Sequence, residues 1–447
     1  MGDLVSGYDI IIVVILLGIL YLIAHKVQEN HIDRFTYYSH YTRALFLKIF
    51  AGMIFCCVYI FYYNGGDTQY YFTGTRCIVK MAGKNFGAFL QLMLGERTPE
   101  LRSLFDYYTG WPTYFKDANS WAVCRFSVPF YLLGCGSYLG MTMVMNFLLF
   151  IPMWNFYKLL IKLYPKMSKI GAIALFYIPS VIFWGSGLLK DGWCLAAVLA
   201  IYTACHNIFV RKRSILKNIF KYLFWSYILI SIRPYAFYTV LGTSMIWIGT
   251  NLLKTIDSTF IRVTFFPLVA SVVVIIFVVF MKNSGNIAEG HYATVDEMMT
   301  HAVVIQDDLK RDYYGANSFD IGTFDASISG MLTKLPQATI AGMFRPFIWE
   351  ARTPFMLMAG LENIVLLLLS IWALLVFRLK LFSFLFKDGF QCSLAIFVIV
   401  FAFFIGLTIA NFGALVRYRI ILQPFFCLIL GRLWFLHRQE KLESLEE

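Results

Sequence analysis

Long apolar runs separated by short polar links recur along almost the whole chain, and their length points to the architecture. Apolar stretches fall at 8–25, 43–63, 128–157, 168–184, 189–209, 218–232, 235–253, 262–281, 355–377, 391–410 and 414–436. Most approach the roughly 20 residues a helix needs to cross the hydrocarbon of a bilayer, where only helices and closed barrels satisfy their own backbone. The pattern predicts an all-α polytopic membrane protein with about 11 transmembrane helices and two long extracytoplasmic loops. The shorter runs around 168–232 leave room for broken or re-entrant helices.

Five regions follow from the pattern. Residues 1–63 form an N-terminal two-span segment. Residues 64–127 form the first long loop, with an interfacial helix around 83–95 ("GKNFGAFLQLMLG"). A central bundle occupies 128–281, a lid-like loop 282–354, and the last helices with a short cytoplasmic tail 355–447. The first apolar run follows Asp3 and Asp9 instead of positive charge, and His25-Lys26 follows it where a cleavage site would need small residues. It reads as a retained span.

Composition sharpens this picture. The chain of 447 residues is 59% hydrophobic and 14% charged, against roughly a quarter charged in a soluble domain. Its net charge of +12 sits mostly at the ends of apolar runs, which argues against nucleic acid as a partner. The basic links "KLLIKLYPKMSK" (158–169), "VRKRSILKNIFK" (210–221) and "FRLKLFSFLFKDG" (377–389) place those connections inside. The expected location is therefore the cytoplasmic (inner) membrane, with the N-terminus outside and the C-terminus inside. Nine cysteines contain no zinc-type spacing; Cys77 and Cys124 share one polar segment, where a disulfide is an open possibility. No P-loop or dinucleotide fingerprint is present.

In that topology the unusual polar residues gather on the outer side. "NGGDTQYYF" (64–72) offers Asp67 with Tyr70 and Tyr71. "FWGSGLLKDG" (183–192) offers Lys190 and Asp191, and "SIRPY" (231–235) offers Arg233. "RPFIWEARTP" (345–354) offers Arg345 and Glu350, and "RYRI" (417–420) offers Arg417 and Arg419. Glu362, inside a span, should face the bundle and meet an arginine or lysine. Trp184, Trp193 and Trp349 read as interfacial belt residues. Arginines in outward links run against the usual topology bias. A phosphate at the outer leaflet would reward them, since guanidinium pairs bidentately with phosphate oxygens.

"GGDTQYYF" in the first outer loop, the long later outer loop, "FWGSGLLKDG", "RPFIWEARTPFMLMAGLEN" and "RYRIILQP" resemble the GT-C superfamily of integral membrane glycosyltransferases and O-antigen polymerase-like proteins of envelope polysaccharide assembly. The resemblance spans roughly 60–430. The chain departs from it in carrying an extra span before the acidic loop and one acid where many members have an adjacent pair. The resemblance implies a sugar transferred from a polyprenyl-phosphate-linked donor to a glycan, lipid or protein acceptor. Asp67 would act as general base, and Arg233, Arg417, Arg419 and Lys190 would hold the donor phosphate. Tyr70, Tyr71, Asp191, Arg345, Glu350 and Glu362 are secondary candidates. No cofactor or metal site is expected, although a divalent metal stays open. Two alternatives remain at this stage: a polymerase joining lipid-linked oligosaccharides, and a lipid-linked glycan transporter or non-enzymatic membrane subunit.

Overall fold

The computed structural model describes residues 5–253, 300, 303–304, 308 and 317–446. Regular structure among them is helical, with one isolated antiparallel bridge between Ser318 and Asn411. Among the described residues seven helices are long and apolar enough to cross a membrane, or up to nine if two bent pairs each count as one span. The bends, of 44° and 62°, fall between Pro165–Tyr177 and Pro179–Ser186, and between Phe412–Arg419 and Gln423–Glu443. The predicted span 262–281 and most of 282–316 lie outside the described residues.

One predicted span, 128–157, is two helices, Ala118–Leu133 and Tyr138–Leu163. The break is encoded in "GCGS": Cys135 and Gly136 both take positive φ, at 53° and 73°, which no helix interior accommodates. The predicted first long loop at 64–127 is likewise mostly helical.

The chain clusters into two compact units, Met1–Asn155 with Val181–Ala197, and Phe156–Ser180 with Val198–Glu447. In unit 1, α1 (Gly7–Ile32) leaves Ile10, Ile11, Val14 and Ile15 exposed, as suits a span bordered by lipid. Next come α2 (Tyr41–Cys57), whose last turn widens into a π-turn at Val58–Tyr62, and α3 (Asp67–Lys84). Helix α3 buries Thr68, Tyr71, Phe72, Thr75, Ile78 and Met81, a stripe with helical spacing, and packs on α6 (Ala118–Leu133). The predicted interfacial helix is α4 (Phe86–Leu94), opened by Asn85, whose side chain accepts from Ala88 N at 3.0 Å. Between α4 and α6 lies α5 (Pro99–Ser103).

The core of unit 2 is aromatic: Phe156, Tyr202, Phe397, Phe401 and Phe425 are fully buried and mutually close. Helix Leu335–Phe344 packs tightly on Gly389–Thr408. Cβ atoms added at Gly342 and Gly406 would come within 2.0 Å of Ala402 O and 1.9 Å of Ala338 O, so small residues are required at this crossing. The described end of the predicted lid-like loop is thus a packed helix of unit 2.

Candidate functional site

The candidate residues divide between the two units, and each group is built locally. In unit 1 the chain leaves its π-turn through Asn64, Gly65 and Gly66, all at positive φ (54°, 141° and 130°). A Cβ on Gly66 would stand 2.8 Å from the Tyr59 ring. This turn sets Asp67 at the start of α3, where a helix favours negative charge. The carboxylate is half-buried, and the Tyr114 hydroxyl donates to its Oδ1 at 2.5 Å. Tyr114 lies on a 3-10 turn, Thr113–Lys116, and its ring packs against Tyr71 at 4.9 Å and edge-on to Tyr70 at 5.7 Å.

From Tyr71 the polar contacts continue. Its hydroxyl lies 3.5 Å from Ser120 Oγ, and Ser120 donates to Asp117 Oδ2. Lys190 Nζ is 3.5 Å from the same oxygen. Asp117 also caps α6, accepting from Asn119 N at 3.1 Å. Burial alone would raise the Asp117 carboxyl, but the Lys190 charge and the bonds from Ser120 and Asn119 outweigh it and hold the group below the usual range. Lys190, expected on a donor phosphate, pairs in this structure with a carboxylate of its own unit. Asp191, beside it in the first turn of Lys190–Cys205, is fully buried.

Sequence reasoning missed Asp117, Ser120 and Tyr114. The available signal was the helix-capping "KDANS" (116–120), an Asp ahead of a helix. It also missed Lys48, buried inside a span with Nζ 2.5 Å from Gly185 O and 3.4 Å from Ser186 Oγ; an ionisable residue in an apolar run was the signal there.

In unit 2, "RPFIWE" folds back on itself. Arg345 Nε and Nη2 donate to Glu350 Oε1 at 3.0 and 2.6 Å, and Phe347 N donates to Glu350 Oε2 at 2.8 Å. Arg345 also lies over the rings of Phe319 and Phe412, at 5.0 and 5.8 Å. Its carbonyl accepts from Arg419 Nη1 at 2.6 Å. Arg419 is 0% exposed, and its Nε and Nη2 find no acceptor among the described residues. The preceding Tyr418 carries Arg233, whose guanidinium carbon sits 3.6 Å above the ring. Arg417 and Arg419 belong to one short helix, Phe412–Arg419, so their side chains diverge by about 200°. The arrangement in which both flank one anion from an extended backbone is not the one adopted.

Glu362 does face the interior, but neither of its hydrogen bonds comes from an arginine or lysine. Its Oε1 accepts from Ser180 N and its Oε2 from Gln423 Nε2, both at 2.8 Å. It thereby caps the start of helix Pro179–Ser186, whose open N–H groups favour an anion, while acting on Arg419 only electrostatically. Trp184 and Trp193 are buried, not interfacial, whereas Trp349 is exposed. Cys77 and Cys124 are both buried free thiols. Among the described residues no three of His, Cys, Asp and Glu gather as a metal-binding set. Compared with protein-family models, with curated proteins and with solved structures, the chain finds no match.

Proposed function

We propose that the chain is a GT-C-like membrane glycosyltransferase that moves a sugar from a polyprenyl-phosphate-linked donor to an acceptor at the outer face of the inner membrane. The observation that carries this reading is Arg419. A fully buried guanidinium with two nitrogens lacking an acceptor among the described residues is costly unless an anion completes its shell. A phosphate suits its planar, bidentate donors. Arg417 lies on the same short helix, and Arg233 is held on the ring of the intervening Tyr418.

The base in this reading is Asp67. It stands at a helix start and accepts from the Tyr114 hydroxyl, a placement that favours negative charge. In the reaction the acceptor hydroxyl oxygen bonds to the anomeric carbon and its proton passes to Asp67. The bond from that carbon to the phosphate oxygen breaks, the electron pair leaving with polyprenyl phosphate, and the anomeric configuration inverts. Charge develops on the departing phosphate, where arginines stabilise it most.

Mass spectrometry of lipids retained by the purified chain tests the class. Polyprenyl phosphate or its glycosylated form is expected, with its amount reduced in Arg419→Gln. Retention of phospholipids alone, with no uptake of an added polyprenyl-phosphate sugar, overturns the reading. A requirement for oligosaccharide-diphospholipid would instead indicate a polymerase.

A further inference from the structure

Between α5 and α6, the segment "FDYYTGWPTYF" (105–115) forms a loop with two opposite surfaces. Phe105 and Phe115 point inward, 5.7 Å apart and edge-to-face, and Phe115 meets the buried Trp121 at 5.2 Å. At the tip, Tyr107, Tyr108 and Trp111 are 95%, 58% and 64% exposed. Tyr107 and Trp111 make no ring contact with another described residue.

This tip is braced. Asp106 Oδ1 accepts from Tyr108 N at 3.0 Å, Thr109 N at 2.9 Å and Thr109 Oγ1 at 3.0 Å. Gly110 N closes the turn onto Asp106 O at 2.8 Å, with Gly110 at φ 77°. Lys84 Nζ bonds Asp106 Oδ2 and Leu104 O, each at 2.7 Å, and Lys80 Nζ bonds Tyr108 O at 3.0 Å. The Lys84 and Thr109 hydrogen bonds hold the Asp106 carboxyl well below the usual carboxylate range. With the backbone of the tip fixed in this way, only side-chain rotamers remain to be ordered when a ligand covers the rings.

We propose that the tip 106–111 is a carbohydrate-binding platform, with Tyr107, Tyr108 and Trp111 stacking on the sugar rings of an extended glycan acceptor. The apolar C–H face of a pyranose carries slight positive charge and suits the negative face of an aromatic ring. Tyrosine and tryptophan add a polar edge for sugar hydroxyls. The surroundings favour water over lipid: the Lys84–Asp106 ion pair bracing the tip has side chains 36% and 46% exposed, and sinking the rings into hydrocarbon would draw that pair out of water at high cost. By contrast α4, in the same unit, exposes Phe86, Leu90 and Leu94, a surface without polar edges. The platform is continuous with the candidate base, since Trp111 lies three residues before the Tyr114 that bonds Asp67. The proposal rests on the transferase reading for the identity of the glycan as acceptor.

The test uses the full chain in lipid nanodiscs and saturation-transfer NMR with soluble hexasaccharides of glucose, N-acetylglucosamine and mannose. Saturation of ring C–H protons is expected for at least one glycan, and Tyr107→Ala and Trp111→Ala should each weaken binding roughly 3- to 10-fold. Tyr107→Phe, which keeps the ring, should retain most of the affinity. Absence of transfer to every glycan overturns the platform, as does unchanged binding in both alanine variants. So does quenching by bromine-labelled lipids that disappears in Trp111→Phe, which would mark a membrane anchor. Glycan binding by a chain with no transferase activity would retire the transferase reading and leave the platform standing. Transfer activity indifferent to the alanine variants would do the reverse.

Discussion

The acidic cluster of unit 1 and the arginine cluster of unit 2 treat charge in opposite ways. Asp67 and Asp117 are partly solvated, and each receives donors from its own unit: Tyr114 for the first, and Ser120, Asn119 and Lys190 for the second. Arg419 is wholly buried and, among the described residues, donates through one of its three guanidinium nitrogens, to a backbone carbonyl. A charge completed by its own unit needs no ligand. A buried cation with donors to spare is stabilised by whatever anion arrives. The comparison teaches that the arginine cluster is where ligand binding and fold stability should separate, and the acid cluster where chemistry should.

The largest expected effect breaks the comparison on the acid side. Asp67→Asn preserves shape and the Tyr114 contact but removes the base, so transfer should fall about 10²- to 10⁴-fold with donor binding intact. Retention of more than roughly a tenth of wild-type turnover in a single-turnover assay would remove Asp67 from the chemistry. Next, Arg419→Gln should weaken donor binding by about 1.5–3 kcal/mol, or roughly 10- to 150-fold, with only a small change in melting temperature. Unaltered donor affinity would make Arg419 a packing residue. Glu350→Gln sharpens the contrast: both partners of its pair are protein groups, so the loss, about 2 kcal/mol, should appear in thermal unfolding first. The smallest effect concerns Asp117. Its carboxyl is held below its unfolded value, so the stability it contributes is present above about pH 3.9 and lost as pH falls through the lower folded value. Half its side chain is solvated, so screening keeps this small. Asp117→Asn should flatten the acid limb of stability against pH, and an unchanged limb would show that the Lys190 contact is idle.

Much of the fold was legible because the signals were long. A run such as 355–377 has one outcome in a bilayer, and it forms the helix Pro354–Phe377. The errors lie where a few residues override a run, as "GCGS" does inside 128–157. The Asp67 turn was legible for a similar reason, since two glycines before an acid restrict the backbone to few paths. Partnership across the chain was not legible. Nothing local to Glu362 announces a helix start at Ser180 or an amide at Gln423, and nothing near Lys190 announces Asp117. The disulfide that the sequence left open is not present: Cys77 and Cys124 are both buried free thiols, and burial pushes the Cys77 thiol up to about 11.

The bridge between Ser318 and Asn411 bears on how the protein is made. Phe319 N bonds Ala410 O and Phe412 N bonds Asn317 O, at 2.9 and 3.0 Å, across about 90 residues of intervening sequence. During synthesis the earlier partners emerge first, and their peptide groups wait while two long helices are still being translated. Arg345, which follows Ser318, likewise offers its carbonyl to Arg419 long before that residue exists. Unit 2 therefore closes only after residues 410–419 have left the ribosome. A truncation before residue 411 should yield a protein held by the quality-control machinery of the cell, however complete its earlier helices.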